Sequence, residues 1–237
     1  MNELRATHTL SLSLGLGAAP RVVEVDDLFV AGWTGRDQTA VEKHIKELEE
    51  LGVRRPSSTP IFYEVAASRL TTAPIIEVSG ENSSGEVEFI LLAQHGRLWV
   101  GLGSDHTDRG VEAHNVTASK QMCEKPIGAS FWAFDEVKEH WDKLTLRSWI
   151  RENGADVLYQ EGTVASMRPV EDLLRLFNEA KGRKETALPD RALMFGGTFA
   201  VKGGIRNAAE FSMQIEDPVL GRTLSHRYAL RQLANVG

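Results

Sequence analysis

The chain has 237 residues, 42% of them hydrophobic, with 33 acidic against 27 basic side chains and a formal net charge of −6. A chain of this length buries roughly 70–75% of the surface it exposes when unfolded, so it needs no staple to hold a core. The acidic balance, with no basic run beyond the neighbourhood of Lys181 to Lys184, argues against duplex recognition by counterion release. The single cysteine, Cys123, cannot close an intramolecular disulfide or build a zinc cluster alone, which fits a reducing compartment. The apolar run Leu14 to Pro20 is broken by Gly15, Gly17 and Pro20 and follows no basic segment, so no signal or membrane span is expected. The expectation is a cytoplasmic protein.

In chain order, loose alternation from Leu10 breaks at Gly15 and Gly17, and Arg21–Val25 and Leu28–Gly32 read as short strands. From Thr39 to Leu51 the period becomes helical, with Val41, Ile45, Leu48 and Leu51 on one stripe, Asp37 or Thr39 as cap and Gly52 as the residue that ends it. After the loop Pro56 to Pro60, strands are predicted at Ile61–Val65, Ile75–Val78 and Glu86–Ala93, the last running from a wet end into a dry core. His95-Gly96 reads as a hairpin turn, returning Leu98–Leu102 as the partner strand. Gly103 to Gly128 is polar and reads as a long irregular segment, the usual place for a site. Two helices are predicted at Glu136–Leu144 and Val170–Lys181, with strands near Leu146–Ile150 and Asp156–Gln160. Ala192–Ala200, Ala209–Ile215 and Leu224–Leu230 are again strand-like. Strands outnumber helices and are joined mostly by short turns, so the predicted class is α+β with a mainly antiparallel mixed sheet and a few short helices.

Three constellations carry chemistry. In Glu86-Val87-Glu88 the strand period of two puts both carboxylates on one face about 6.7 Å apart along the chain, close enough to grip one cation. Oxygen donors select Mg²⁺, Mn²⁺ or Ca²⁺ over zinc, although an isolated pair of this kind is more often a solvated strand edge. Ser104 to Arg109 adds Asp105, His106 and Asp108, and the turn at His95-Gly96 delivers Asp105 to the paired glutamates as a third ligand. In His44-Ile45-Lys46-Glu47 the two outer residues are neighbours on a helix, so the carboxylate can orient the imidazole; the alternative is a histidine satisfied within the apolar stripe. Lys120 and Arg109 are cations suited to a substrate carboxylate or enolate, or simple surface charges.

The order of these pieces resembles the fumarylacetoacetate hydrolase family. The matching segments are Gly32-Trp33-Thr34-Gly35 with His44 and Glu47, Pro60-Ile61-Phe62, Glu86-Val87-Glu88, Ser104 to Arg109, Lys120 to Gly128, Asn153-Gly154 with Gln160, and Gly196-Gly197-Thr198. The resemblance implies that Glu86, Glu88 and Asp105 hold Mg²⁺ or Mn²⁺, with Ca²⁺ as a substitute. It makes His44 and Glu47 a water-activating dyad on a lid helix, has Lys120 touch substrate, and puts Gln160 and Thr198 in the pocket wall; Arg109, from the reading of the residues above, joins Lys120 in holding the substrate anion. It implies a fold like that family's C-terminal region and one catalytic domain over residues 1–237, with N-terminal strands over 1–30 and the family-like core over 31–237. It also implies a homodimer acting on a small oxo acid; the acidic balance and the lack of a spanning segment lead to the same expectation of a small anionic partner, with no nucleic acid and no membrane.

The chain departs from the family pattern by lacking Asn-Tyr before His44 and by carrying Tyr63 and Glu64 where a lysine is common. It also has a short step from Glu88 to Asp105, and Cys123 where an aspartate is common, which places it in a divergent branch. The implied reaction is hydrolysis of a carbon–carbon bond in a 1,3-dicarbonyl or acylpyruvate-like acid through a metal-chelated enolate. The same site serves decarboxylation, dehydration or tautomerisation of a 2-oxo acid, and a catalytically inactive organic-anion-binding protein is the third reading.

Overall fold

The computed structural model describes residues 6–50 and 55–236. The chain opens with β1 (His8–Leu14), β2 (Arg21–Val25) and β3 (Asp27–Gly32), then α1 (Gln38–Glu50). Next come β4 (Ile61–Val65), the two-residue β5 (Leu70–Thr71), β6 (Ile75–Ser79) and the two-residue β7 (Ser83–Ser84). The central hairpin is β8 (Val87–Gln94) and β9 (Arg97–Ser104), followed by β10 (Thr107–Asp108), α2 (Arg109–Glu112), α3 (Val116–Met122) and β11 (Lys125–Pro126). The remainder is β12 (Ser130–Ala133), α4 (Phe134–Val137), β13 (Thr145–Glu152), β14 (Ala155–Thr163), α5 (Val170–Ala180), β15 (Ala192–Phe195), β16 (Glu210–Asp217) and β17 (Arg222–Leu233).

Eight strands form one sheet in the order β2-β1-β12-β9-β8-β15-β3-β4, and five form a second in the order β14-β13-β16-β17-β6. Pairing within these two sheets is mostly antiparallel, with parallel contacts between β1 and β12, β15 and β3, and β17 and β6; β5 and β11 form a separate parallel pair. In the large sheet β2 is one edge and β3 lies next to the other, yet Asp26 alone links them. The sheet therefore has to curl until its ends meet. Its two faces bury different cores. Phe89 and Leu91 of β8 join Leu146, Phe211, Met213 and α5 between the sheets. Ile90 and Leu92 face Leu12, Val25, Val30 and Val65, contributed from both ends of the curl. A strand covered on both faces has no polar side, which is why Phe89 to Ala93 reads as one apolar run.

The class expected from the sequence is the one found, and three local expectations are corrected. The segment Gly103–Gly128 holds α2 and α3, capped by the side chains of Asp108 and Asn115. They lack an apolar stripe because the inward residues of α3 are Ser119 and Lys120. The helix expected over Glu136–Leu144 begins earlier, as α4, and passes into a 3-10 turn over Lys138–Lys143 with His140 in non-helical geometry. There His140 bonds the buried Asp217 at 2.9 Å while Trp141 packs edge-on against Phe89 and Phe134. The strand expected over Ala192–Ala200 stops at Phe195, because a Cβ at Gly196 would lie 2.1 Å from the Phe89 ring and Gly197 has φ +103°. Leu51 and Gly52, the expected end of α1, lie outside the described residues.

Candidate metal centre

The hairpin fixes the geometry of the site. His95 and Gly96 have φ of 52° and 70°, the twist that a two-residue turn between antiparallel strands requires. Counting back from that turn pairs Glu88 with Gly103 and Val87 with Ser104, and the Asp105 amide donates to the Glu86 carbonyl at 3.0 Å. Glu86, Glu88 and Asp105 thus meet at one end of the hairpin, with a carboxylate oxygen from each within 4.8 Å of the others. The strand has no wet end here: Glu88 and Asp105 are 2% and 1% exposed, and only Glu86 is partly open.

The two buried carboxylates live in opposite fields. Burial pushes the Glu88 carboxyl well above the ordinary range, Asp105 and Glu86 add to the rise, and a 2.6 Å hydrogen bond from the Gly197 amide only partly opposes it. Burial also acts to raise Asp105, but Lys120 and Lys125 more than offset it and hold that carboxyl below its usual value. Lys120 Nζ lies 2.6 Å from Asp105 Oδ2 and 3.7 Å from Glu86 Oε2; Lys125 Nζ lies 2.9 Å from Asp105 Oδ1 and donates to the His106 carbonyl at 2.6 Å.

Among the residues expected at the site, Lys120 is therefore brought to the acidic cluster by α3. Arg109 is there too, with its donors spent on Glu86 at 3.1 Å, Glu112 at 2.7 Å and Ser84 at 2.7 Å. In this arrangement it braces Glu86. Gln160 and Thr198 lie beside the Glu86–Glu88 backbone: Gln160 accepts from Val87 N at 2.9 Å and donates to Thr198 Oγ1 at 2.8 Å, and Thr198 donates to the Val87 carbonyl at 2.7 Å. His44 and Glu47 fall within α1, and their side chains lie outside the described residues. His106 is not part of the acidic cluster; its Nδ1 meets the Tyr228 hydroxyl at 2.9 Å, and burial followed by Lys125 and Arg109 pushes its pKa down to about 3.

Three neighbours escaped the sequence reading. Lys125 is fully buried within a run of buried residues, Lys125 to Gly128, that no apolar period in the sequence marks. Glu112 sits 3.4 Å from Lys120. Tyr63, noticed only as a departure, is beside the cluster: burial raises its phenol pKa, Lys120 opposes the rise, and Glu112 and Asp105 reinforce it.

Three converging carboxylates without an imidazole or thiolate among them are a donor set for a hard dication such as Mg²⁺, Mn²⁺ or Ca²⁺. A cation between them would relieve the repulsion that raises Glu88, so the residues fit such an ion.

The curled sheet with this hairpin at its centre defines the class of protein: it has the fold of the fumarylacetoacetate hydrolase family. A fumarylacetoacetate hydrolase family protein of yeast superposes with a TM-score of 0.59 at 13% identity, over 88% of this chain and 93% of that one. Fumarylpyruvate hydrolase from Pseudomonas aeruginosa, solved with Mn²⁺ and pyruvate, gives 0.56 at 16% identity, over 99% and 100%. A 2-keto-3-deoxy-D-arabinonate dehydratase complexed with magnesium and 2,5-dioxopentanoate gives 0.60 at 16% identity, over 92% and 78%. No curated protein matches the chain in sequence. Within that fold, residues 31–228 match the family described as "Protein of unknown function (DUF2848)", and the chain belongs to it. Among the described residues no helix is long and apolar enough to cross a membrane.

Proposed function

We propose that this protein is a divalent-metal-dependent enzyme acting on a small anionic oxo acid, and that its reaction is hydrolysis of a carbon–carbon bond in a 1,3-dicarbonyl or acylpyruvate-like substrate. The observation that carries the reading is the convergence of Glu86, Glu88 and Asp105 with Lys120 against them. The fold shared with a fumarylpyruvate hydrolase supports it.

Mg²⁺ or Mn²⁺ held by these three residues supplies a Lewis acid that polarises oxo and carboxylate oxygens. The chain's own groups do the rest. Lys120 offers its ammonium to the substrate carboxylate, while Lys125, fully enclosed, stays on Asp105 and keeps that ligand ionised. Arg109 holds Glu86 in register. His44, oriented by Glu47, takes the proton from the attacking water, a role worth about 10²–10⁴-fold in rate. Residues 1–237 act as one catalytic domain; the family resemblance supports a homodimer as the working form, and the lone cysteine supports a cytoplasmic location.

A second reaction on the same site, dehydration, decarboxylation or tautomerisation of a 2-oxo acid, is favoured by the likeness to a dehydratase that binds magnesium and 2,5-dioxopentanoate. The two readings separate on His44→Ala, which abolishes hydrolysis and leaves a water-independent decarboxylation intact.

The test is a thermal shift of chelated protein with Mg²⁺, Mn²⁺, Ca²⁺ and oxalate added back, followed by turnover of acylpyruvates and oxaloacetate. Stabilisation by the ion, with a further gain from oxalate only when the ion is present, is the expected result. No shift on adding either ion or oxalate refutes the metal centre. Binding of both without turnover of any oxo acid leaves an organic-anion-binding protein.

A further inference from the structure

The sheet opens beside the acidic cluster, and side chains take over its hydrogen bonding there. Strand β15 pairs with β8 as far as Phe195 opposite Ile90, and the Gly196 amide makes one more bond to the Phe89 carbonyl at 3.0 Å. The chain then swings away through Gly197. Val87, opposite Ser104 at a non-hydrogen-bonded position of the hairpin, is left with its amide and carbonyl facing the side that β15 has vacated, since the backbone bonds toward β9 are made at the alternate positions, as the Glu86 carbonyl does with the Asp105 amide. An unpaired backbone group in such a place costs as much as a lost hydrogen bond.

Gln160 and Thr198 fill the gap. Gln160 Oε1 accepts from Val87 N at 2.9 Å and from Ser148 Oγ at 3.0 Å, while Nε2 donates to Thr198 Oγ1 at 2.8 Å and to the Phe199 carbonyl at 2.8 Å. Thr198 in turn donates to the Val87 carbonyl at 2.7 Å, closing a ring around that residue. An amide has two acceptor and two donor positions, and all four of Gln160's are taken on a side chain with no solvent exposure. It has nothing left for a substrate. The loop it grips also carries the Gly197 amide that bonds Glu88 Oε2 at 2.6 Å.

We infer that Gln160 is a positioning residue for the metal ligands: it locks the peptide between Glu86 and Glu88 and the loop over Glu88, and so sets the separation of the two carboxylates. This rests on the metal reading above and goes beyond it by assigning the group that shapes the ligand set. Residues that orient ligands from behind typically change metal affinity 10–100-fold when lost.

The experiment pairs Mn²⁺ titration by electron paramagnetic resonance with amide hydrogen exchange of the metal-free protein, on wild type, Gln160→Met and Gln160→Glu. Met removes every bond; Glu keeps the acceptor for Val87 and loses both donors, and it guards against a Met variant that fails to fold. Both variants are expected to weaken Mn²⁺ binding by about 10–100-fold. In Gln160→Met the Val87 amide exchanges at least ~10-fold faster while Ile90 to Leu92 are unchanged, as expected when one bond is lost and the strand stays. In Gln160→Glu the Val87 amide stays slow and the Gly197 amide speeds up. Mn²⁺ affinity within about twofold of wild type in both variants overturns the inference, as does acceleration spread evenly along β8. Failure of the wild-type protein to bind Mn²⁺ overturns the metal reading itself, and is told apart because the exchange measurements read the clamp without metal.

Discussion

Replacing Asp105 by asparagine keeps the shape of the side chain and removes the charge shared by two buried ammonium groups, of which Lys120 also has Glu112 at 3.4 Å and Glu86 at 3.7 Å. Lys125 has no exposed surface and Lys120 is 6% exposed, and their Nζ atoms lie 2.9 and 2.6 Å from the two carboxylate oxygens. Removing one partner from a buried ionic group leaves an uncompensated charge and costs about 3–5 kcal/mol. For a chain of this size, where 1 kcal/mol moves the midpoint by about 2–4 °C, that corresponds to a fall of roughly 6–20 °C. The pH dependence has a definite sign. The folded carboxyl lies below its ordinary value, so its contribution is complete above the unfolded value near 3.8 and is lost as pH falls through the lower folded one. The gap between wild type and Asp105→Asn is therefore widest near neutrality and narrows in acid. Urea and thermal unfolding in the presence of a chelator, at several pH values, measure it without interference from metal. A loss under about 1 kcal/mol at pH 7 would mean that Lys125 reaches water or a new partner and that Glu112 and Glu86 suffice for Lys120, and the electrostatic account would fail.

Glu88→Gln should act in the opposite direction. The raised folded carboxyl loses stability as pH climbs from about 4.5 toward its higher folded value, so the neutral variant is expected to be more stable than chelated wild type at pH 7 while losing any stabilisation by Mn²⁺. Differential scanning calorimetry with and without Mn²⁺ checks both, and a destabilised variant would refute the sign. Asn115→Ala removes the cap of α3, whose Oδ1 accepts from the Ala118 amide at 3.0 Å, and should cost about 1 kcal/mol in urea unfolding. Gly196→Ala drives a methyl group to 2.1 Å from the Phe89 ring, and a loss of at least about 1–3 kcal/mol is expected, together with weaker Mn²⁺ binding because the Gly197 amide moves with it. Mn²⁺ affinity equal to wild type in that variant would show that the loop does not hold Glu88.

What was readable in the sequence followed from local rules. Gly96 and the apolar run ahead of it announce the β8–β9 hairpin, and simple counting from the turn brings Asp105 to Glu86. Helix α5 was readable because Val170, Leu173, Leu174 and Phe177 bury one stripe. Helix α3 was hidden for the opposite reason: the face it turns inward carries Lys120, whose partner is an aspartate rather than a core, so no apolar period marks it. The family resemblance puts Gln160 in the pocket wall, and nothing in a linear pattern shows that its four hydrogen-bonding positions are taken by Val87, Ser148, Thr198 and Phe199. The fate of the Gly196–Thr198 segment depends on the Phe89 ring, a contact across more than a hundred residues that no window of sequence contains.

The ring around Val87 also has a consequence for the order in which the molecule is made. The bonds that secure the Glu86–Glu88 segment come from residues 73, 109 and 111 positions further along the chain. During synthesis the β8–β9 hairpin is complete long before its clamp leaves the ribosome, and contacts of such long range carry a loop-closure cost that local structure cannot offset in advance. The final spacing of the acidic cluster is thus a late product of folding, fixed only after the last third of the chain arrives. A nascent chain halted before Gln160 would carry all three carboxylates and still lack the arrangement that brings them to bear on one ion.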